Sequence, residues 1–150
     1  MKNKQKVLIT GAGGQVGRKI SKLLSPYFEV LGLSRTDLNV ASHSSMKKVF
    51  ETFEPNIVIN AAAYTKVDEA EINQKLAKSI NYVAVKSVSE LCAANSSFLI
   101  HFSTDYVFDG SMVGRYSESD PANPLNVYGQ TKLAGDEHII KHAQKYAIFR

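Results

Sequence analysis

A chain of 150 residues, 44% hydrophobic and 21% charged, has ordinary globular composition and enough length for one domain with a proper core. No apolar run is long enough to span a bilayer, and the polar start, residues 1–6, leads into a strand rather than a signal-peptide core. One cysteine, Cys92, excludes an internal disulfide framework, and a net charge of +4 on scattered lysines and arginines accompanies no nucleic-acid motif. These features together point to a cytoplasmic protein that binds neither membrane nor nucleic acid.

Val7–Thr10 reads as a short buried strand. Glycines follow at 11, 13, 14 and 17, and then Val16, Ile20, Leu23 and Leu24 recur at helical spacing. Strand, glycine turn and helix make the phosphate-binding start of a dinucleotide fold. Glycine lets the turn reverse, the pyrophosphate approach and the helix pack close, and the helix N-terminus offers free N–H groups. The spacing is G-x-x-G-x-x-G over Gly11, Gly14 and Gly17; the G-x-G-x-x-G form fails because Val16 stands where it needs a glycine.

Phe28–Leu33 reads as the second strand, ending at Ser34-Arg35, with Asp37 two residues on. That strand end meets the adenosine ribose, where an acidic residue suits a 2′-hydroxyl and a basic one a 2′-phosphate. Ser34 and Arg35 therefore favour NADPH, with NADH as the second choice; the bland alternative is an exposed loop arginine. Asp37–Val40 is an edge strand or a turn. Ser44 is expected to cap a helix carrying Met46, Val49, Phe50 and Phe53, which Pro55 ends.

Residues 56–60 form a further buried strand, followed by small residues at Ala61–Ala63 that would let a flat cofactor approach. The carboxylates of Asp68, Glu69 and Glu71 suit the first turn of a helix and are not read as a catalytic pair. A long helix is expected over 73–94, with Leu76, Ala77, Ile80, Ala84, Val88 and Leu91 facing the core and Cys92 packed there. Asn81 interrupts that face and needs partners if buried. Residues 97–103 are the next strand, with His101 packed inside it, flowing into Thr104-Asp105. A polar loop spans 111–125, a helix 128–145 carries Leu133, Ile139 and Ile140, and 146–150 begins a last strand. The alternation gives an α/β fold, a doubly wound parallel sheet of order 2-1-3-4-5 (Rossmann-like), with ligands beyond the strands' C-terminal ends.

Tyr128 and Lys132 stand four residues apart on one helix face. An ammonium beside a phenol favours the phenolate over the reference value of about 10 and makes the hydroxyl a usable acid or base. Thr104 or Ser103, at a strand end, could bond the same substrate oxygen. No metal site is expected: His43, His101, His138 and His142 lack ligand-like grouping, although His138 and His142 lie one helical turn apart.

The blocks Thr10–Gly17, Asn60–Glu71, Ser103–Gly110 and Pro124–Gly135 resemble the extended short-chain dehydrogenase/reductases and, among them, the dTDP-4-dehydrorhamnose reductase family. The resemblance runs over nearly the whole chain. It implies reduction of the 4-keto group of dTDP-4-dehydro-L-rhamnose by NAD(P)H in nucleotide-sugar (surface polysaccharide) synthesis. Tyr128 would be the proton donor, Lys132 the ribose-holding partner and Thr104 the third active-site hydroxyl. Thr104 and Asp105 would contact substrate. Gly14, Gln15 and Val16, Asp37 and Leu38, and Ala63, Tyr64 and Thr65 would contact cofactor, and Asn81 matches a superfamily asparagine that supports proton relay. It further implies that residues 1–150 are the NAD(P)-binding, N-terminal part of a longer enzyme, truncated before the C-terminal substrate region and inactive alone. A homodimer is left open. Two alternatives remain: a reductase or epimerase of another nucleotide sugar, and a non-catalytic nucleotide-binding subunit like the regulator of methionine adenosyltransferase.

Overall fold

The computed structural model describes residues 4–150; the first three residues of the polar lead-in lie outside them. Five strands, β1 (Lys6–Thr10), β2 (Glu29–Leu33), β3 (Ile57–Asn60), β4 (Phe98–Phe102) and β5 (Tyr146–Phe149), form one parallel sheet of order β2-β1-β3-β4-β5. The expected strand order is the observed one.

Alternation along the strands divides the core between the two faces. Val7, Ile9 and Ile59 point to one face, where Ile20 and Leu24 of α1 (Gln15–Leu24) pack on them. Leu8, Val58 and Leu99 point to the other, against Met46 and Phe50 of α2 (His43–Phe53), Val85, Val88 and Leu91 of α5 (Ala84–Ala94) and Ile139 of α6 (Val127–His142). Each fully buried large side chain there, such as Phe50 and Met46, contributes roughly 1.5–3 kcal/mol. Cys92 lies in this core, and burial pushes its thiol up to about 12.

Several local expectations are corrected. Ser42, not Ser44, caps α2 by accepting from the Ser45 N–H, and Glu54 closes it in a left-handed conformation before Pro55. Of the two readings left open for residues 37–40, the structure has the turn and not the strand. Val16 and Leu23 on α1, Leu76, and Ile140 on α6 are about half exposed, because each helix buries a narrower stripe than its apolar residues suggest. The helix expected over 73–94 is broken into α4 (Gln74–Lys78), a π-turn (Ser79–Val83) and α5. The preceding α3 (Val67–Ile72) carries Asp68 and Glu69 in its first turn, while Glu71 accepts from the Val127 N–H and ties α3 to the start of α6.

Candidate active site

The glycine turn is built by close backbone approach. Gly11 holds φ +72°, and a Cβ there would lie 2.6 Å from the Ala61 carbonyl carbon. At Gly17 a Cβ would lie 2.3 Å from the Gly11 carbonyl oxygen, so this buried glycine lets α1 pack on the turn. Gly17 thus shapes the cradle from below rather than lining it. Gly14 is the N-cap of α1, with no side chain satisfying the first helical N–H groups. Arg18 Nε donates to the Gly13 carbonyl at 2.7 Å and braces the turn.

A cleft of about 670 Å³ opens over this turn. Gly11, Gly14, Ser34, Arg35, Leu38 and Ala63 line it. Gln15 and Val16 are exposed at the adjoining helix start. The Asp37 carboxylate turns back to accept from the Ser34 N–H at 2.8 Å, and bonds from the Ser34 hydroxyl and N–H hold it below its ordinary range. It shapes the turn, outside the cleft lining. Tyr64 and Thr65 are also outside that lining; Tyr64 is buried and Thr65 exposed. The sequence reading missed Leu76, Ser79 and Ile80 as cleft residues; α4 and the π-turn bring all three to the cleft, and Ile80 also packs on the buried cluster of Tyr64, Ala77 and Tyr128.

Asn81 finds its partners. Its Oδ1 accepts from the Tyr64 N–H at 2.8 Å, and its Nδ2 donates to the Tyr64 carbonyl and to Thr131 Oγ1, both at 3.1 Å. It clamps the segment that leaves β3 against α6. The π-turn brings its backbone so near α6 that a Cβ at Gly135 would lie 2.5 Å from the Asn81 carbonyl oxygen.

Asn126 caps α6 by accepting from the Gly129 N–H, and Gly129 allows that first turn to seat on the Tyr106 carbonyl. Tyr128, 8% exposed, packs edge-on to Tyr106 with ring centroids 5.5 Å apart. Thr104 stands two residues beyond β4, where its hydroxyl accepts from the Tyr106 N–H at 3.2 Å and starts a 3₁₀ turn, Asp105–Val107. Asp105 lines a second hollow, about 540 Å³, with Tyr116, Phe149 and Arg150.

Lys132 differs from expectation. Its ammonium donates to the Phe102 carbonyl at 2.6 Å and lies 3.4 Å from His101 Nε2; neither contact is with Tyr128. Burial lowers Lys132 to about 8, opposed by the charge of Asp136. His101 is packed, as expected, yet it is wholly buried in a polar chain: Asn60 Nδ2 lies 3.0 Å from its Nδ1, and Thr10 Oγ1 donates to Asn60 Oδ1 at 2.6 Å. Burial, then the Lys132 charge, hold its pKa well below the ordinary histidine value. Among the described residues no group of three or more metal-ligating side chains converges, and no helix is long and apolar enough to cross a membrane.

A dTDP-4-dehydrorhamnose reductase of Aggregatibacter actinomycetemcomitans is 42% identical over 147 residues, covering 97% of this chain and 50% of that protein. A dTDP-4-keto-6-deoxy-D-glucose reductase of Streptomyces niveus is 37% identical over 134 residues, 89% of this chain and 46% of that protein. The crystal structure of a dTDP-4-dehydrorhamnose reductase from Bacillus anthracis, in complex with NADP, superposes with a TM-score of 0.95 at 34% identity, covering 99% of this chain and 53% of that one. The chain spans about half the length of the curated relatives it matches. The model of the family described as "RmlD substrate binding domain" matches residues 5–150, and the chain belongs to that family.

Proposed function

We propose that the complete protein carrying these residues is a reductase of the 4-keto group of dTDP-4-dehydro-L-rhamnose that prefers NADPH, with residues 1–150 as its nucleotide-binding part. The observation that carries this reading is convergence. The glycine cradle, Thr104 and the Tyr128/Lys132 pair lie at one end of a parallel sheet, in a chain 42% identical to a dTDP-4-dehydrorhamnose reductase. We assign the protein to the cytoplasm.

The residues fit a nicotinamide dinucleotide. Gly11 and Gly14 line the cleft as bare backbone, and the turn packs so closely that a Cβ at Gly11 would meet the Ala61 backbone. The uncapped N-terminus of α1 offers N–H groups and partial positive charge to a pyrophosphate. Arg35 and Ser34 line the cleft beside the expected ribose, and a guanidinium suits a 2′-phosphate. Bound reduced nicotinamide would supply a hydride.

The chain's own groups manage the proton. As the substrate carbonyl carbon gains hydride, its oxygen takes on negative charge, and Tyr128 Oη donates its proton there. Thr104 Oγ1 bonds the same oxygen, and Asp105 joins it in holding the sugar nucleotide. On this reading Lys132, whose ammonium is turned to the Phe102 carbonyl in the structure, would hold the nicotinamide ribose and steady the phenolate that Tyr128 becomes. Asn81, by fixing Tyr64 and Thr131, keeps the wall of the cleft in register with α6.

The Streptomyces relative favours a second reading, reduction of another dTDP-4-keto-6-deoxy sugar. Following NADPH absorbance with each ketosugar decides between them. Oxidation with dTDP-4-dehydro-L-rhamnose that falls about 10²–10⁴-fold in Tyr128→Phe supports the assignment. Oxidation only with the D-gluco substrate selects the second reading, and none with either rejects both.

A further inference from the structure

Lys132 sits in surroundings that its assigned role does not require. Lys132 and Asp136 stand one turn apart on α6 and are 1% and 0% exposed. Asp136 Oδ2 accepts from Ser103 Oγ at 2.7 Å and from Arg150 Nε at 3.1 Å. Its Oδ1 is buried with no hydrogen-bond partner and lies 3.6 Å from His101 Nε2. The Lys132 ammonium is 3.4 Å from that same nitrogen.

The far side of the imidazole is fixed. The Thr10 hydroxyl occupies Asn60 Oδ1, which leaves Asn60 Nδ2 to donate to His101 Nδ1. A neutral imidazole that accepts at Nδ1 carries its proton on Nε2. That proton faces the orphaned Asp136 oxygen. His101 therefore adds no charge to the cluster while bounding the space into which Lys132 and Asp136 could turn.

We propose that Asp136 and His101 are positioning residues for Lys132. The buried carboxylate is the counter-charge that keeps the ammonium protonated, and the imidazole, anchored through Asn60 to Thr10 on the glycine-turn strand, holds the pair in place. The role in catalysis rests on the reductase reading above. The physical ground is that a buried ammonium without a counter-charge sheds its proton. Burial already lowers Lys132 to about 8, with Asp136 resisting. Asp136 is itself raised by burial, against the pull of Ser103, Arg150 and Lys132. The titratable or charged groups around Lys132 are His101 on β4, Tyr128 and Asp136 on α6, and Arg150 after β5. The π-turn and β3 contribute the neutral amides of Asn81 and Asn60. Arg150 shares the Asp136 carboxylate, so its removal has the opposite sign to removal of Asp136.

The test uses the complete protein with ¹³Cε-labelled lysine, the Lys132 signal being assigned by its loss in Lys132→Met. The midpoint expected for Lys132 in the wild type is about 8. Asp136→Asn moves that midpoint down by about one pH unit or more, Asp136→Glu restores it, and Arg150→Gln moves it up. The alkaline limb of kcat/KM for NADPH oxidation moves with the midpoint, which a purely structural defect would not produce. Where Asp136→Asn does not fold, the upward shift in Arg150→Gln decides. An unmoved midpoint in the folded variants overturns the proposal, whether or not the wild type turns over substrate. A midpoint that moves in the variants, in a protein whose wild type never oxidises NADPH, rejects the reductase reading and leaves the Asp136–Lys132 coupling standing.

Discussion

The glycine cradle and the lysine pocket are two ends of one site, built by opposite means. The cradle is made of backbone and of missing side chains: Gly11, Gly14 and Gly17 matter for the Cβ atoms they lack. The lysine pocket is made of buried polar side chains, Asn60, His101, Lys132 and Asp136, which bond to residues distant in sequence and leave one Asp136 oxygen unpaired. A cradle tolerates no added atom, whereas the pocket tolerates no lost partner.

The contrast is broken most sharply at Gly17. Gly17→Ala puts a methyl group against the Gly11 carbonyl oxygen, and α1 must shift off the turn. We expect a loss of about 3 kcal/mol in urea unfolding, together with loss of cofactor binding. A variant as stable as the wild type would show that the turn is not packed as described.

Asn81 tests the side-chain half of the contrast. Asn81→Ala strips the Tyr64 N–H of its partner in a buried place. The expected cost is about 2 kcal/mol, read as a lower unfolding midpoint. Asn81→Asp, which keeps an acceptor for that N–H but loses the two donated bonds, should differ measurably from it.

The smallest effect falls on the rim of the cradle. Arg35→Ala should weaken NADPH binding about tenfold while leaving NADH within about twofold, by competition titration. Equal losses for both cofactors would place Arg35 away from the 2′-phosphate.

The same contrast explains what the sequence made legible. The strand order, the glycine turn and the Tyr128–Lys132 spacing are local patterns, and a period or a motif of a few residues reports them. The polar chain from Thr10 through Asn60 to His101 joins three neighbouring strands, and no local pattern encodes it. His101 read as a packed residue and is one, but its partners become visible only when β3 and β4 lie side by side. Asp136 gave no signal, because a carboxylate late in a helix ordinarily reads as a solvated face. The break at Ser79–Val83 escaped notice because Ile80, Ala84 and Val88 keep the four-residue spacing of an ordinary helix across it. Leu76 followed that series and yet faces the cleft, while its neighbour Ala77 is the residue α4 buries.

The most direct measurement separates binding from chemistry in the complete protein. NADPH fluorescence titration and ketosugar-dependent NADPH oxidation would be followed on Gly14→Val and Tyr128→Phe. If the cradle binds and the tyrosine reacts, Gly14→Val loses NADPH binding, while Tyr128→Phe keeps it within about twofold and loses turnover about 10²-fold or more. NADPH bound as tightly by Gly14→Val as by the wild type, or turnover surviving in Tyr128→Phe, would contradict that division.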